Sequence, residues 1–412
     1  MGPETPFTVW PIAGADCAAA AITPPDQDFI HTYYDVCPWS PSGQYLLGLR
    51  APFTDHRNGP DDQAEVCLFD LRAQTVRPLW RTGAWGMQRG AQAQWGRSDR
   101  YVYFNDRRDN QAVGVRLDLT TGEARRYDGP IWLIDPTETY ALSPCVIRTN
   151  LTQFGYGMSV ASEAQLTNRD PAADDDGFTR MDLASGRRTL LVSLASIWQA
   201  VTEHESLDGA TLYAFHCKLN QPGTRLMLVA RACYPDRRYR PMLMTCRPDG
   251  SELRCILPPS RWQGGAGSGH PTWTPNGSMV LMNHSHGLGR RRFCLIDPVT
   301  AEARPLIEEP DGTGHPTISP NGQYLLTDSH TTIGDRRPGT VRLVDLREGG
   351  WRDLLTVSNP MRKDDPLRCD AHPVWDRTGR LVCFQGTPAA GRRLYIIEPG
   401  KPAGQAPTLW AE

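Results

Sequence analysis

The sequence has no large excess of charge of either sign and no long hydrophobic run. Its 412 residues carry 44 lysines and arginines against 46 aspartates and glutamates, which gives a formal net charge of −2. Domains that bind nucleic acid or anionic membranes carry a basic excess. No apolar stretch approaches the roughly 20 residues that cross a bilayer, and the first residues lack the basic start and apolar core of a secretory signal. We therefore expect neither nucleic acid nor a membrane as partner.

The cysteines do not have the pattern of a disulfide framework. There are eleven, an odd number, and several lie inside strand-like runs, among them Cys67, Cys294 and Cys383. Free, buried thiols in a reducing compartment explain this usage. The sequence thus predicts a cytoplasmic protein, with a secreted chain that has lost its leader as the alternative.

Three stretches in the C-terminal third are almost alike. They read HPTWTPNG from His270, HPTISPNG from His315 and HPVWDRTG from His372, and they begin 45 and 57 residues apart. Each is followed by an apolar strand pattern and then by a second strand that carries an acidic residue. A repeat of this length, about 40–50 residues in known classes, is typical of a propeller blade.

Weaker copies of the same unit precede these three, the first beginning at Tyr33. The abundant glycines (38) and prolines (35) fit the many turns that short strands need. With four earlier copies the count is seven. The sequence predicts an all-β fold, a seven-bladed β-propeller with four-stranded antiparallel blades around a central channel, in one domain over residues 1–412. The N-terminal segment is expected to complete the last blade. A β-sandwich array is the alternative, although seven copies in register favour a closed ring without sheet edges.

Histidines recur at one position of these units. In a propeller the first strand of each blade lines the channel, and four predicted blades place a histidine at its start: His216, His270, His315 and His372. Asp370 lies two residues before His372, on the same strand face. Imidazoles with a carboxylate are typical transition-metal ligands, so we predict a metal site. The alternative is that these histidines only bond turn backbone. Weaker candidates near strand ends are His31, His284, His286 and His330.

A second set of polar residues lies in the predicted blades two and three. An arginine fork fits a carboxylate, and a tyrosine beside a cation can transfer protons. The alternatives are a solvated hairpin arginine and a tyrosine in ordinary loop packing. The candidate substrate-binding residues are Arg148, Gln92, Asn110 and Gln111, and the candidate catalytic residues of this set are Tyr156 and Arg180.

Several of these stretches resemble the seven-bladed propeller polysaccharide lyases, the group that contains oligogalacturonate lyase and ulvan lyases. They are GHPTISPNGQYLLTD, RCDAHPVWDRTGRLVCF, and the FGYGM and DDDGFTRMDL pair. The resemblance runs from about Tyr33 to Glu398. It implies β-elimination next to a uronic acid, which leaves an unsaturated uronate. It also implies a divalent metal (Zn, Mn or Ca) as cofactor and a uronate-containing oligosaccharide as partner.

The resemblance implies roles for individual residues of this sequence. His216 matches the histidine base of oligogalacturonate lyase, His270 and His372 match its metal-ligand positions, and Asp370 stands where that enzyme has another histidine. Tyr156 and Arg180 match the catalytic tyrosine and arginine of the ulvan-lyase branch.

There are also departures from the family pattern. Glutamine and asparagine (Gln92, Asn110, Gln111) stand in the region where the ulvan branch has histidines, and the glutamine ligand of oligogalacturonate lyase has no counterpart near Leu367. Either His216 or Tyr156 is then the base. The metal is catalytic if one of its coordination positions stays open for substrate or water. It is structural if four histidines occupy all of its coordination positions. Alternatives to a lyase are a non-catalytic propeller that binds glycan or protein, and a propeller hydrolase or epimerase.

Overall fold

The structure is a computed structural model of the chain. It describes residues 2–162, 165, 170–236, 238–264, 268–285, 289–329, 339–357, 365–387 and 391–410. No helix in these ranges is long and apolar enough to span a membrane.

Strands dominate the first half of the described chain. The N-terminal segment contributes Thr5–Pro6 (β1), Trp10–Pro11 (β2) and Ala18–Ala21 (β3). Blade one contains Asp28–Ile30 (β4), Tyr45–Ala51 (β5), Ala64–Asp70 (β6) and Thr75–Thr82 (β7). Blade two contains Gln94–Trp95 (β8), Tyr101–Arg108 (β9), Gln111–Asp118 (β10) and Ala124–Tyr127 (β11). Blade three contains Leu133–Ile134 (β12), Tyr140–Ser143 (β13), Gly177–Asp182 (β14) and Arg188–Ser193 (β15), with Val146–Thr152 (α1) before β14 and Leu194–Thr202 (α2) after β15.

The second half continues the pattern. Blade four contains Thr211–Leu219 (β16), Leu226–Cys233 (β17), Tyr239–Cys246 (β18) and Arg254–Leu257 (β19), followed by Pro259–Gln263 (α3). Blade five contains Gly269–Trp273 (β20), Val280–His284 (β21), Arg292–Ile296 (β22) and Ala303–Pro305 (β23). Blade six contains Thr317–Ile318 (β24), Tyr324–Ser329 (β25), Gly339–Asp345 (β26) and Trp351–Val357 (β27). Blade seven contains Val374–Trp375 (β28), Val382–Gly386 (β29) and Arg393–Glu398 (β30).

These strands form seven antiparallel sheets within the described residues, and the fold is the predicted seven-bladed β-propeller. The blades are not all four-stranded. The N-terminal β1 adds a fifth strand to blade one, and β3 followed by β2 extends blade seven beyond β30. The part of the N-terminal segment that contains β2 and β3 therefore pairs in the last blade, whereas β1 pairs in blade one.

One register is common to all seven blades. In each, an apolar residue of the first strand or segment pairs with the residue seven positions later, beyond a tight turn. The pairs are Trp39 with Leu46, Trp95 with Val102, Ile134 with Ala141, Leu219 with Leu226, Trp273 with Val280, Ile318 with Leu325 and Trp375 with Val382. Because the register is fixed, residues three positions before the first partner are equivalent between blades: Val36, Gln92, Ile131, His216, His270, His315 and His372.

The chain divides into two compact units. The first contains Met1–Arg107, Val115–Arg125 and Thr313–Glu412, and the second contains Arg108–Gly114 and Arg126–Gly312. In the first unit, a core cluster joins the strands of blades six and seven, with Leu326, Val341 and Phe384 fully buried. Burying such a side chain contributes about 1.5–3 kcal/mol. The single domain over residues 1–412 stays a prediction.

Candidate functional site

The first unit brings three potential metal ligands together. One ligand atom from each of His315, Asp370 and His372 lies within 4.8 Å of the other two. All three side chains are buried. Two imidazole nitrogens and a carboxylate oxygen at this spacing are a donor set that a divalent metal can bind.

The orientation of His315 is set by Asp328 of β25. The backbone N–H of His315 donates to Asp328 Oδ1 at 2.7 Å, and its Nδ1 lies 2.9 and 3.0 Å from the two carboxylate oxygens. These contacts place the ring proton on Nδ1, so that Nε2 carries the lone pair. Gly314 permits the close approach, because it has a φ of +57° and a Cβ there would lie 1.7 Å from the carbonyl oxygen of Asp328.

His372 lies beside His315 in an uncommon backbone conformation. Its φ is +48°, in the left-handed region, which costs a non-glycine residue on the order of 1 kcal/mol. The two imidazole rings are 4.3 Å apart and nearly perpendicular, at 84°. Gln385 Nε2 donates to the Asp370 carbonyl at 3.0 Å and lies 3.4 Å from His372 Nδ1. The amide thus connects two of the three candidate ligands.

Asp370 also contacts a cation of the chain itself. Arg368 Nε donates to Asp370 Oδ2 at 2.9 Å. The Arg368 carbonyl in turn accepts from Gln88 Nε2 at 2.8 Å and from Arg392 Nη2 at 3.4 Å. The arginine is therefore held in place next to the candidate ligand, where its charge opposes that of a bound metal.

Aromatic rings surround this group. Tyr33 lies 4.4 Å from the His372 ring and Tyr34 lies 4.9 Å from the His315 ring. The fully buried His31 lies 6.4 Å from His372. Burial lowers the pKa of His31 to about 4, against the backbone groups of Ala371 and His372 that raise it. His31 is consequently neutral near pH 7 and adds no positive charge beside the group.

The donor set discriminates between metals. Calcium prefers oxygen ligands, whereas Zn²⁺ and Mn²⁺ accept imidazole nitrogen together with carboxylate. The group of His315, Asp370 and His372 therefore fits zinc or manganese better than calcium.

The second unit contains another cluster, around His216. A β-bulge between Ala214 and His216 makes Phe215 the extra residue of β16, and such bulges re-aim the side chains next to them. The ring of His216 is 4.1 Å from Phe215, 5.0 Å from Trp132 and 5.8 Å from Tyr156. The rings of Tyr156 and His216 meet edge to face at 84°, and both residues are buried.

Tyr156 is positioned by the loop after α1. The helix α1 has no side-chain hydrogen bond at its N-cap. Thr149 connects it to β16, because its Oγ1 donates to the Ala214 carbonyl at 3.4 Å. Gly157 lies against the first turn of α1, because a Cβ there would be 1.8 Å from the Val146 carbonyl oxygen. The sequence FGYGM thus places Tyr156 between two glycines, the second of which is required by this close approach.

Solved structures show which known proteins share this fold. A structure described as oligogalacturonate lyase in complex with manganese matches with a TM-score of 0.68 at 17% identity, over 96% of this chain and 97% of that chain. The oligogalacturonate lyase of Vibrio parahaemolyticus gives 0.67 at 13% identity, over 96% and 98%. The chain has the fold of oligogalacturonate lyase. The tricorn protease gives 0.53 at 10% identity, over 93% of this chain and 35% of that chain.

The resemblance to the propeller lyases stated from the sequence is thus confirmed for the fold. No protein-family model and no curated protein matches the chain. At identities of 17% and 13% the match to oligogalacturonate lyase extends to architecture and not to individual side chains. The role of each residue has to be argued from its own contacts.

Both predicted arginines of blade three have other contacts. The guanidinium of Arg180 lies over the Tyr140 ring, 3.9 Å from its centroid, and its Nη1 is 3.5 Å from the Pro248 carbonyl oxygen. Arg148 Nη1 forms a salt bridge with Asp176 at 2.8 Å. Their predicted roles in catalysis and substrate binding stay predictions.

The polar candidates of blade two differ in their surroundings. Gln92 is buried, has a φ of +58° and accepts a hydrogen bond from Arg89 Nη2 at 3.1 Å. Asn110 follows Asp109 in the turn between β9 and β10, where both have positive φ as in a two-residue hairpin. Gln111 begins β10 and is exposed. A role in substrate binding stays a prediction for all three.

The remaining histidine candidates are distributed over both units. His270, predicted as a metal ligand, has a φ of +55° and lies in β20 of the second unit, whereas His315, Asp370 and His372 all lie in the first. Its role as a ligand stays a prediction. His284 Nδ1 lies 2.7 Å from Ser268 Oγ. His286 and His330 lie outside the described residues.

Arg231, Asp328 and Arg368 were not predicted from the sequence. Arg231 is buried in β17 next to Phe215. A single arginine inside the apolar run LMLVARAC was the signal that could have found it, because a charged residue is rarely buried without a specific reason.

Proposed function

We propose that the chain is a polysaccharide or oligosaccharide lyase that cleaves a glycosidic bond 4-linked to a uronic acid by β-elimination. The observation that carries this proposal is the buried pair of Tyr156 and His216, with ring centroids 5.8 Å apart. β-Elimination needs a base for the proton next to the carboxylate and an acid for the leaving oxygen. Tyrosine and histidine can each perform both tasks.

The proposed reaction balances without a redox partner. The base takes the C5 proton, the electron pair forms the C4–C5 double bond, and the C4–O bond breaks. The leaving oxygen takes a proton, and the product is an unsaturated uronate. Either Tyr156 or His216 is the base in this scheme, and the other residue is available as the acid. Arg180 and Arg148 are the proposed contacts to the sugar acid carried over from the sequence, with Gln92, Asn110 and Gln111 as further substrate contacts.

A divalent cation is the proposed cofactor, held by His315, Asp370 and His372. A Zn²⁺ or Mn²⁺ ion held by these residues would supply Lewis-acid chemistry toward a carboxylate. Asp328 keeps the Nε2 lone pair of His315 available for it. His270 remains a proposed additional ligand on the strength of its equivalent register position.

The proposed partner is a uronate-containing oligosaccharide, and the proposed compartment is the cytoplasm. Support for the compartment comes from the eleven cysteines, which are all free thiols. Cytosolic thiols are kept reduced, whereas secreted proteins usually pair them.

The test is a panel of uronate oligosaccharides with Mn²⁺ or Zn²⁺ present, read by the ultraviolet absorbance of the unsaturated product. We expect turnover by the unchanged protein and a loss of at least about 100-fold in kcat for His216→Asn and for Tyr156→Phe. His204→Asn is the matched control, because His204 is an exposed loop residue outside the cluster. Absence of product across the panel would contradict the proposal.

The same panel separates the other candidate functions. Product mass distinguishes elimination from hydrolysis, which adds water. Binding of an oligosaccharide without turnover, unchanged in His216→Asn, would instead indicate a non-catalytic glycan-binding propeller. The glutamine at position 92, where four other blades place a histidine in the same register, is the observation that favours this second candidate.

A further inference from the structure

Arg231 connects three elements of the second unit. It lies in β17, opposite Tyr213 of β16 and Pro241 of β18. Its side chain is buried, and its guanidinium carbon lies 3.3 Å from the ring centroid of Phe215 and 4.2 Å from that of Tyr239. The cation is therefore held between two aromatic rings, an arrangement in which attraction by the ring faces strengthens as water is excluded.

The edges of the same guanidinium bond the end of α1. Arg231 Nη1 is 3.5 Å from Thr152 Oγ1, and Nη2 donates to Gln153 Oε1. The Gln153 carbonyl accepts from the backbone N–H of Tyr156 at 3.4 Å. Arg231 thus fixes the segment that leads directly into Tyr156.

Phe215 is the second connection between Arg231 and the pair of Tyr156 and His216. Its ring, against which Arg231 stacks, is 4.1 Å from His216 and 5.4 Å from Tyr156. Phe215 is the extra residue of the bulge, and a bulged residue lacks the regular ladder pairing that would hold it. The stacked arginine supplies a constraint that the strand itself does not.

We propose that Arg231 is the positioning residue of the Tyr156–His216 pair, acting through Phe215 on one side and through Thr152 and Gln153 on the other. This inference rests on the proposed lyase reaction, since the pair it positions is the proposed proton-transfer pair. Small displacements of reacting groups cost large factors in rate, about 100-fold for 1 Å. Arginine is suited to the role because its planar fork stacks and bonds at the same time, which lysine cannot do.

The test compares Arg231→Gln, Arg231→Lys and Arg342→Gln. Arg342 is the matched control, because it stacks on Trp351 at 3.9 Å in blade six and pairs with Asp353. We expect Arg231→Gln to lower kcat by about 10- to 100-fold with KM changed by less than about threefold. Arg231→Lys should keep an intermediate kcat, and Arg342→Gln should keep that of the unchanged protein.

A double-mutant cycle tests the path through Phe215. If Arg231 acts through that ring, Phe215→Leu combined with Arg231→Gln lowers kcat by less than the product of the two single effects. The proposal would be overturned if kcat of the double variant fell by the full product of the two single effects, or if kcat of Arg231→Gln were unchanged. Should Arg231→Gln fail to fold, the same comparison of kcat is made with Arg231→Lys, Phe215→Leu and the variant that combines the two.

A spectroscopic measurement separates this inference from the proposed function. The imidazole carbon–proton signal of His216, identified by its loss in His216→Asn among the ten histidines, should shift in Arg231→Gln and stay unchanged in Arg342→Gln. A shift in a protein without lyase activity would leave the positioning role intact and remove the proposed reaction. An unshifted signal in an active enzyme would remove the positioning role alone.

Discussion

His315 Nδ1 lies within 3.0 Å of both carboxylate oxygens of Asp328, and the backbone N–H of His315 donates to the same carboxylate at 2.7 Å. Both residues are completely or almost completely buried. A carboxylate that orients a histidine in this way fixes its tautomer and raises the basicity of the far nitrogen. The relationship leads to a direct test of the candidate metal group.

Asp328→Asn should weaken metal binding. The asparagine can no longer accept with two oxygens, and the charge that makes His315 a better ligand is lost. We expect the dissociation constant for Zn²⁺ or Mn²⁺ to rise about 10- to 100-fold, measured by competition with a chromogenic chelator. Asp345→Asn is the control, because Asp345 accepts the N–H groups of Arg347 and Glu348 in an exposed turn. Equal affinities of the two variants would contradict the assignment.

Arg368→Gln should have the opposite effect. The guanidinium of Arg368 neutralises part of the charge of Asp370 at 2.9 Å, and like charges disfavour a cation at the same carboxylate. Removing the arginine should therefore tighten metal binding, by up to about tenfold for an interaction of about 1–1.5 kcal/mol. Calorimetric titration of the metal-free protein provides the measurement. Weaker binding would instead mean that Arg368 mainly orients Asp370.

The cysteines should be unreactive in the folded protein. Burial raises the pKa of Cys37 to about 11 and the pKa values of Cys67 and Cys255 to about 12. Only the thiolate reacts, so the rate of modification by a disulfide reagent should still rise about tenfold per pH unit between pH 7 and 9. Eleven thiols should be titrated in denaturant. A rapid native reaction that is complete at pH 8 would contradict this expectation.

Gly157→Ala should displace Tyr156 more than it unfolds the protein. The added methyl would lie 1.8 Å from the Val146 carbonyl oxygen, so the loop after α1 must move. We expect a loss of stability of about 1–3 kcal/mol and a fall in kcat similar to that of Tyr156→Phe. Gly400→Ala is the control, because nothing lies within 4 Å of its added Cβ. Denaturant unfolding and turnover, measured on both variants, provide the comparison.

The sequence was sufficient to predict the architecture, because the repeated unit is visible in the sequence itself. The apolar residue that pairs seven positions later, and the turn between the partners, recur in every blade, so Trp273, Ile318 and Trp375 already place His270, His315 and His372 in register. Register gives equivalence between blades, but it gives no distances between side chains. The group of His315, Asp370 and His372 could be named from it, but the orientation of its rings could not.

The contacts of the supporting residues could not be predicted, because the partners are not neighbours in the sequence. Asp328 contacts His315 from the next strand, and Arg231 reaches Gln153, which is 78 positions earlier. Arg180 shows the reverse case. Its motif matched a family pattern, whereas the stacking on Tyr140 depends on how β13 and β14 pair and is not visible in the motif.

The pairing of β3 with β30 joins residues from opposite ends of the described chain, with Ala18 opposite Glu398 and Ala21 opposite Tyr395. A ribosome releases the first of these strands long before the second exists. Until the chain has been synthesised as far as Glu398, the alanine strand lacks this partner along one edge. This sheet can therefore be completed only after residues of β30 have joined those of β3, and a protease that cut after Ala21 would remove β2 and β3 and leave β30 as an outer strand of its sheet.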